Sequence, residues 1–392
     1  MFPHSYITSM RGVLFLIVLA EFFGTSSWFS GNAAMAELST EWSLSSAGRA
    51  LLLTSVQLGF IVGTLGISLS GLADRFRASR IFAASAVLAA GANLAFAWMS
   101  DGLPGAAAFR FLTGLFLAGI YPLGMKLAVG WMPRQKGEAL GWLVGALVLG
   151  TASPHLIRAA GQDWPWRNVV TAATVLTLLA AGIVLWLGDG PSPPRPVPLR
   201  WGGVLRAFGR TRFRAAALGY FGHMWELYAF WFLVPQLIRS SGQPEVSLGS
   251  FIVMAMGALG CVLGGIVARR LGSGVVAATA LSVSGTCCFV FPLSEDWPGG
   301  LRIGLLLIWG LAVVADSPQF SAISAQSCPP DLVGAALAVQ NGLGFAITIA
   351  AIQLVSAWPS SETVSWLLAP GPVLGIVGMM PLFRRRADDD PP

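Results

Sequence analysis

Five ionisable side chains stand out because each lies inside a long apolar run: Glu21, Arg110, His223, Glu226 and Asp316. A charge at the centre of a bilayer costs about 2.5–3.5 kcal/mol on insertion scales, so such residues need a purpose. Each acid sits some ten residues inside its run, or roughly 15 Å at a rise of about 1.5 Å per residue. Carboxylates held in that way take up and release protons, or serve as counter-ions to a solute. His223 and Glu226 are three apart, which puts them on one side of a helix and predicts a shared proton. Arg110 stays a cation, and it is expected either to help a neighbouring acid release its proton or to pair with that acid and hold helices together. Trp28 follows Glu21 by seven residues and Trp309 precedes Asp316 by seven, two turns away on the same stripe. With Trp225 and Trp231 they supply indoles for stacking or cation–π contact with an organic solute; plain helix packing is the alternative use of the same rings. Asn32, Tyr121, Gln319, Gln340 and Asn341 add amides and a hydroxyl that can bind a solute or bridge helices. His155 and Arg158 can attract an anion or contact a lipid headgroup.

The elements that position these residues follow from composition. The chain has 392 residues, of which 55% are hydrophobic and 11% charged. A soluble domain carries about 25% charged residues, so a soluble enzyme, a nucleic-acid binder and a disordered chain are all excluded. A membrane-crossing helix needs about 20 mainly apolar residues. Twelve stretches qualify: 12–34, 48–69, 80–100, 105–130, 138–157, 167–187, 215–237, 248–268, 274–293, 301–325, 333–357 and 363–383. Between the sixth and seventh lies a segment with Pro191, Pro193, Pro194 and Pro196, which cannot continue a helix. The expected organisation is a six-helix bundle over 1–187, a basic linker over 188–214, a second six-helix bundle over 215–383 and a tail over 384–392. The fold class is thus an all-α polytopic membrane protein. The first apolar run imitates a secretory leader, but it continues past Glu21 and is expected to remain as the first span.

Lys and Arg orient the spans. Segments on the side of both termini hold 17 of the 24, against five on the other side, so both termini are expected in the cytoplasm, with the membrane a cell (inner) membrane. The linker is expected to rest on anionic headgroups. Cys261, Cys287, Cys288 and Cys328 have neither zinc-ligand spacing nor a disulfide pattern, and they read as small buried hydrophobes. Met125, Met254, Met256 and Cys261 offer soft-metal ligands, but Met254 and Met256 point in different directions. No metal, no cofactor and no nucleic-acid partner is expected; with no phosphate-binding glycine loop, the energy source is a gradient.

The two halves repeat. Phe23-Gly24 matches Phe221-Gly222 at an offset of 198, and Pro133 to Gly141 matches Pro330 to Ala338 at 197. Duplicated six-helix halves are a transporter architecture. Ser70-Gly71-Leu72-Ala73-Asp74-Arg75-Phe76-Arg77, Arg110-x-x-x-Gly114 with the following Pro133-Arg134-Gln135-Lys136-Gly137, and Asp163-Trp164-Pro165-Trp166-Arg167 together resemble the major facilitator superfamily along essentially the whole chain. Where the drug-exporting branch carries a glycine–proline element in span 5, this chain has Gly150-Thr151-Ala152-Ser153-Pro154-His155.

The resemblance implies that spans 1, 4, 7 and 10 line a central cavity, so Glu21, Arg110, His223, Glu226 and Asp316 become proton-coupling or substrate residues. It also implies that Asp74 and Arg75 form a cytoplasmic gate. The expected function is secondary active transport of a small organic solute, proton-coupled, by rocking of two halves in a monomer. The alternatives are an organic-anion/proton symporter using Arg110 and His155, a copper importer, a non-transporting membrane sensor, and an intramembrane enzyme.

Overall fold

In the computed structural model, residues 10–133, 135–191, 206–328, 332–358 and 362–383 are described. Most of the central linker, the tail 384–392, Arg134 and Pro330 lie outside the described residues, as does the side chain of Asp74. Twelve helical spans run through the described residues. In the first half α1 is Met10–Thr25, carried on by the short helices Ser30–Ala33 and Met35–Glu41; α2 is Ser46–Ser70 and α3 is Ala78–Met99. Then come α4, Leu103–Leu117 continued as Tyr121–Trp131, α5, Lys136–Ala160, and α6, Trp166–Leu187. The second half has α7, Thr211–Ser240, α8, Val246–Leu271, and α9, Ser273–Val290. It ends with α10, Gly299–Ala315 continued as Ser317–Gln326, α11, Val333–Ala357, and α12, a 3-10 turn Glu362–Leu368 leading into Pro370–Met379. Among the described residues ten helices are long and apolar enough to cross a membrane. The two others are α1, whose longest unbroken piece has 16 residues, and α7, in which tyrosine, histidine and glutamate interrupt the apolar run.

Within each half the helices approach closely where glycines allow it. On α2 and α4, a Cβ added at Gly59 would lie 2.0 Å from the Phe111 carbonyl oxygen, and one at Gly114 the same distance from that of Val56. On α8 and α10, Gly260 and Gly310 play the same part against Leu311 and Val253. Without a hydrophobic force between helices in lipid, small residues of this kind set the packing. Between the halves, α2 packs against α11 and α5 against α8. Gln353 donates to Thr54 Oγ1 at 3.1 Å, and Gln162 to Glu245 at 3.1 Å, joining the halves at the end remote from the linker, here the far end. Trp98, Trp164, Trp297 and Trp358 stand exposed at helix ends, as interfacial anchors do; Trp42 instead packs edge-on against Trp166.

Candidate functional site

Helix α1 stops at Thr25 because hydroxyls capture its carbonyls. Thr25 Oγ1 donates to the Glu21 carbonyl at 2.8 Å, and Ser26 Oγ donates to Phe23 at 2.7 Å and to Ala173 of α6 at 2.9 Å. Ser27 and Thr177 share a hydrogen bond at 2.6 Å. The Ser27 carbonyl accepts the Ser30 hydroxyl at 3.0 Å, and the Arg110 guanidinium reaches both it and the Trp28 carbonyl, Nη1 donating to Ser27 at 3.0 Å and Nη2 to Trp28. Nη1 also donates to Ser30 Oγ and to Asn93 Oδ1, each at 3.0 Å. Asn93 completes the set by donating to Val170 and Thr174 of α6. A freed backbone acceptor in a membrane must be paid for internally, and Arg110 supplies the donors. Among the described residues no carboxylate lies within 4 Å of it. The expectation that Arg110 works on a neighbouring acid is corrected: it caps the break in α1. The same break explains why Trp28 does not continue the stripe of Glu21.

A cavity of about 310 Å³ lies between the halves. Its roof, towards the far end, is a layer of aromatic rings from both halves: Trp28 stacks on Tyr228 at 6.0 Å, and Phe60 meets Phe345 at 4.7 Å. Phe29 meets Trp231 edge-on at 5.8 Å. From this roof the walls descend past Tyr121, Tyr220 and Asn341 to Ser68, Ser321 and Gly334 near the linker end. Three of the chain's four tyrosines line it. Among the described lining residues there is no Asp, Glu, Lys or Arg, and His223 is the one imidazole.

The α7 wall explains why. Tyr220, His223, Met224, Leu227, Tyr228 and Trp231 fall at the helical spacing of one face. At about 100° per residue, Glu226 falls some 60° beyond His223 and off that face. It turns into the second bundle, where Trp309 Nε1 donates to Oε1 at 2.6 Å, Ser284 Oγ to Oε2 at 2.9 Å, and Cys288 Sγ contacts Oε1 at 3.4 Å. His223 pairs instead with Asp316, Nδ1 to Oδ1 at 2.8 Å, an ion-pair contact off the line of a hydrogen bond; both residues are 1% exposed. The expectation that His223 and Glu226 share a proton is corrected by this geometry. Asp316 sits at the gap in α10, where its carbonyl accepts the backbone N–H groups of Gln319 and Phe320. Glu21 is wholly buried near Gly124, with neither carboxyl oxygen hydrogen-bonded.

Of the other residues singled out from sequence, Trp28, Tyr121 and Asn341 line the cavity. Asn32 faces a separate vestibule at the far end. Trp225 donates to the Leu367 carbonyl at 2.8 Å, Trp309 serves Glu226, Gln340 accepts from Ser324 at 2.8 Å, and Gln319 is buried; none of the four lines the cavity. Arg75 is exposed at the end of the short helix Leu72–Arg75. Phe60, Tyr220, Tyr228 and Phe345 were not anticipated. The spacing along α7 could have found two of them, and Pro122 and Pro318, at an offset of 196, mark the paired interruptions of α4 and α10.

At the far end, outside the spans, Glu41 accepts from Arg167 at 2.8 Å and from Trp166 Nε1 at 2.6 Å. These donors, Arg167 foremost, hold its carboxyl below the usual range.

This arrangement is that of a carrier, with two pseudo-symmetric bundles, a cavity between them and broken helices at matching positions. The Major Facilitator Superfamily matches residues 14–352, and the chain belongs to that family. It is a multi-pass membrane transporter and not an enzyme. The xylose transporter XylE from E. coli, in a partially occluded inward open conformation, superposes with a TM-score of 0.76 at 14% identity, covering 96% of this chain and 100% of that one. A D-xylose-proton symporter superposes at 0.77 and 16% identity, covering 96% and 98%. The niacin transporter NiaP of Acinetobacter baylyi is 35% identical over 132 residues, 31% of this chain and 29% of that protein. An uncharacterized transporter, YgaY of Escherichia coli O157:H7, is 29% identical over 184 residues, 45% and 44% respectively. The matched stretches span less than half the length of these curated relatives.

Proposed function

We propose that the chain is a proton symporter for a small planar organic anion, working by rocking of the bundles 1–187 and 215–383 as a monomer in a bacterial inner membrane, with both termini cytoplasmic. The observation that carries this reading is the contact between His223, in the cavity wall, and the buried Asp316 beside it, where the described lining holds no Asp, Glu, Lys or Arg. As imidazolium and carboxylate the pair is neutral overall. One further proton, taken by Asp316, leaves a net positive charge beside the cavity, and a monoanionic solute balances it. Proton and solute then stabilise each other's binding, which is the linkage a symporter needs. A cationic solute has no carboxylate to meet in this lining.

The tyrosine and tryptophan rings suit a flat solute, with the phenol hydroxyls and Asn341 as polar handles. At about 310 Å³ the cavity is at the small end of ligand pockets, near the lower limit of the usual 300–1,000 Å³. The relative named a niacin transporter supports an aromatic monoanion; the structures named for xylose and protons support coupling. Glu21, unpaired and dry, is a second place for a proton. Asp74 and Arg75 belong to the cytoplasmic gate. The test uses proteoliposomes and labelled nicotinate, with labelled D-xylose as comparison. Nicotinate accumulation that rises several-fold when the interior is made alkaline supports the reading; equal accumulation with and without the gradient contradicts it.

A further inference from the structure

Beyond the aromatic roof lies a second space, a vestibule of about 730 Å³ at the far end, bounded by α1, α2 and α5 on one side and by α7 and α8 on the other. Three guanidinium groups line it, those of Arg49, Arg158 and Arg239, against one carboxylate, Glu37. Glu37 is already engaged: it pairs with Arg158 at 2.7 Å and accepts the Trp166 backbone N–H at 3.0 Å. Among the described residues Arg49 donates to neutral oxygens, the Leu44 carbonyl at 3.2 Å and Ser46 Oγ at 3.0 Å. The vestibule is therefore positive. Deeper in the same space, two side chains are more than nine-tenths buried yet leave a polar nitrogen without a partner: Asn32, 6% exposed, through Nδ2, and His155, 2% exposed, through Nε2. Ser39 Oγ, in the same lining, is also unpaired. A buried polar group left unpaired costs about 1–3 kcal/mol, so two of them converging beneath uncompensated guanidinium groups are poorly explained as packing. Phe232 and Pro235 of α7 supply an apolar wall beside them.

We infer that this vestibule is a capture site for a small organic carboxylate: Arg239 and Arg49 attract the anion, Asn32 and His155 hydrogen-bond its oxygens, and Phe232 and Pro235 cover its apolar body. The assignment rests on the symport reading and adds to it the group recognised and the side from which the solute is taken. A positively lined cleft raises the local concentration of an anion and its rate of arrival, more so at low salt. The site spans both halves, so rocking would open it onto the cavity below.

The test titrates the full chain, in nanodiscs of phosphatidylcholine, with benzoate and with its neutral isostere benzamide by calorimetry. Benzoate is expected to bind at least tenfold more tightly, and Arg239→Gln combined with Asn32→Leu to erase that preference. Arg239→Gln alone, at an exposed position that does not bear on folding, is expected to reduce it at least threefold. A preference unchanged in both variants overturns the assignment. A preference that vanishes when phosphatidylglycerol is added to the nanodisc also overturns it, because the groove then takes a lipid headgroup. Binding that keeps its dependence on Arg239 in a protein without pH-driven uptake supports the vestibule and sinks the symport reading alone.

Discussion

Arg110 shows how a residue's position in the sequence and its job in the fold can part company. A cation in mid-span was legible from the sequence; that its partners are the carbonyls of a broken helix was not, because the break comes from Thr25, Ser26 and Ser27 acting together with α6. Arg110→Ala should leave the buried Trp28 carbonyl without its donor, at a cost of about 1–3 kcal/mol, strip a further donor from the Ser27 carbonyl and Asn93, which keep Ser30 Oγ, and lower the unfolding temperature in detergent. Arg110→Lys should recover little of that loss, since one ammonium cannot span the two carbonyls as a planar fork does; recovery to wild-type stability would refute the capping role. Glu41 gives a pH test at the same scale. Its carboxyl is held low by Arg167 and Trp166, so its stabilising contribution is full above the ordinary carboxylate range and is lost as pH falls through the lowered value. Wild type should therefore be more thermostable than Glu41→Gln at pH 7, with the difference closing on acidification.

The interruptions and the glycine contacts carry the argument at the scale of elements. Span positions were readable from apolar runs, and eight of the twelve spans required only adjustment of their ends; α1, α4, α10 and α12 are each interrupted. α1 was not readable as three pieces, because hydropathy does not register hydroxyls that compete for backbone carbonyls. The breaks in α4 and α10 were not anticipated either, although Pro122 and Pro318 stand at them and offered the signal; the His223–Glu226 spacing misled because two residues three apart need not face the same neighbour. The contact of α2 with α4 predicts that Gly114→Ala costs about 1–3 kcal/mol, as overpacking does, since its Cβ would fall 2.0 Å from the Val56 carbonyl. Gly91→Ala on α3, with nothing within 4 Å, should be neutral or mildly stabilising in the same melting experiment.

For the whole molecule, the far end is joined across the halves and the cavity runs from the aromatic roof towards the linker end. Transport by rocking requires that far-end seam to part. Thr54→Cys with Gln353→Cys places thiols at a contact now 3.1 Å wide; a short bifunctional thiol reagent should stop uptake in that pair and spare each single variant, and uptake undiminished by complete cross-linking would rule rocking out. The central claim, that the His223–Asp316 pair couples proton to solute, is tested most directly by Asp316→Asn in proteoliposomes, comparing nicotinate counterflow with pH-driven accumulation. Asn keeps the shape of the side chain and removes its proton site, so exchange should persist while accumulation falls to the level without a gradient. Accumulation at the wild-type level in Asp316→Asn would contradict the account.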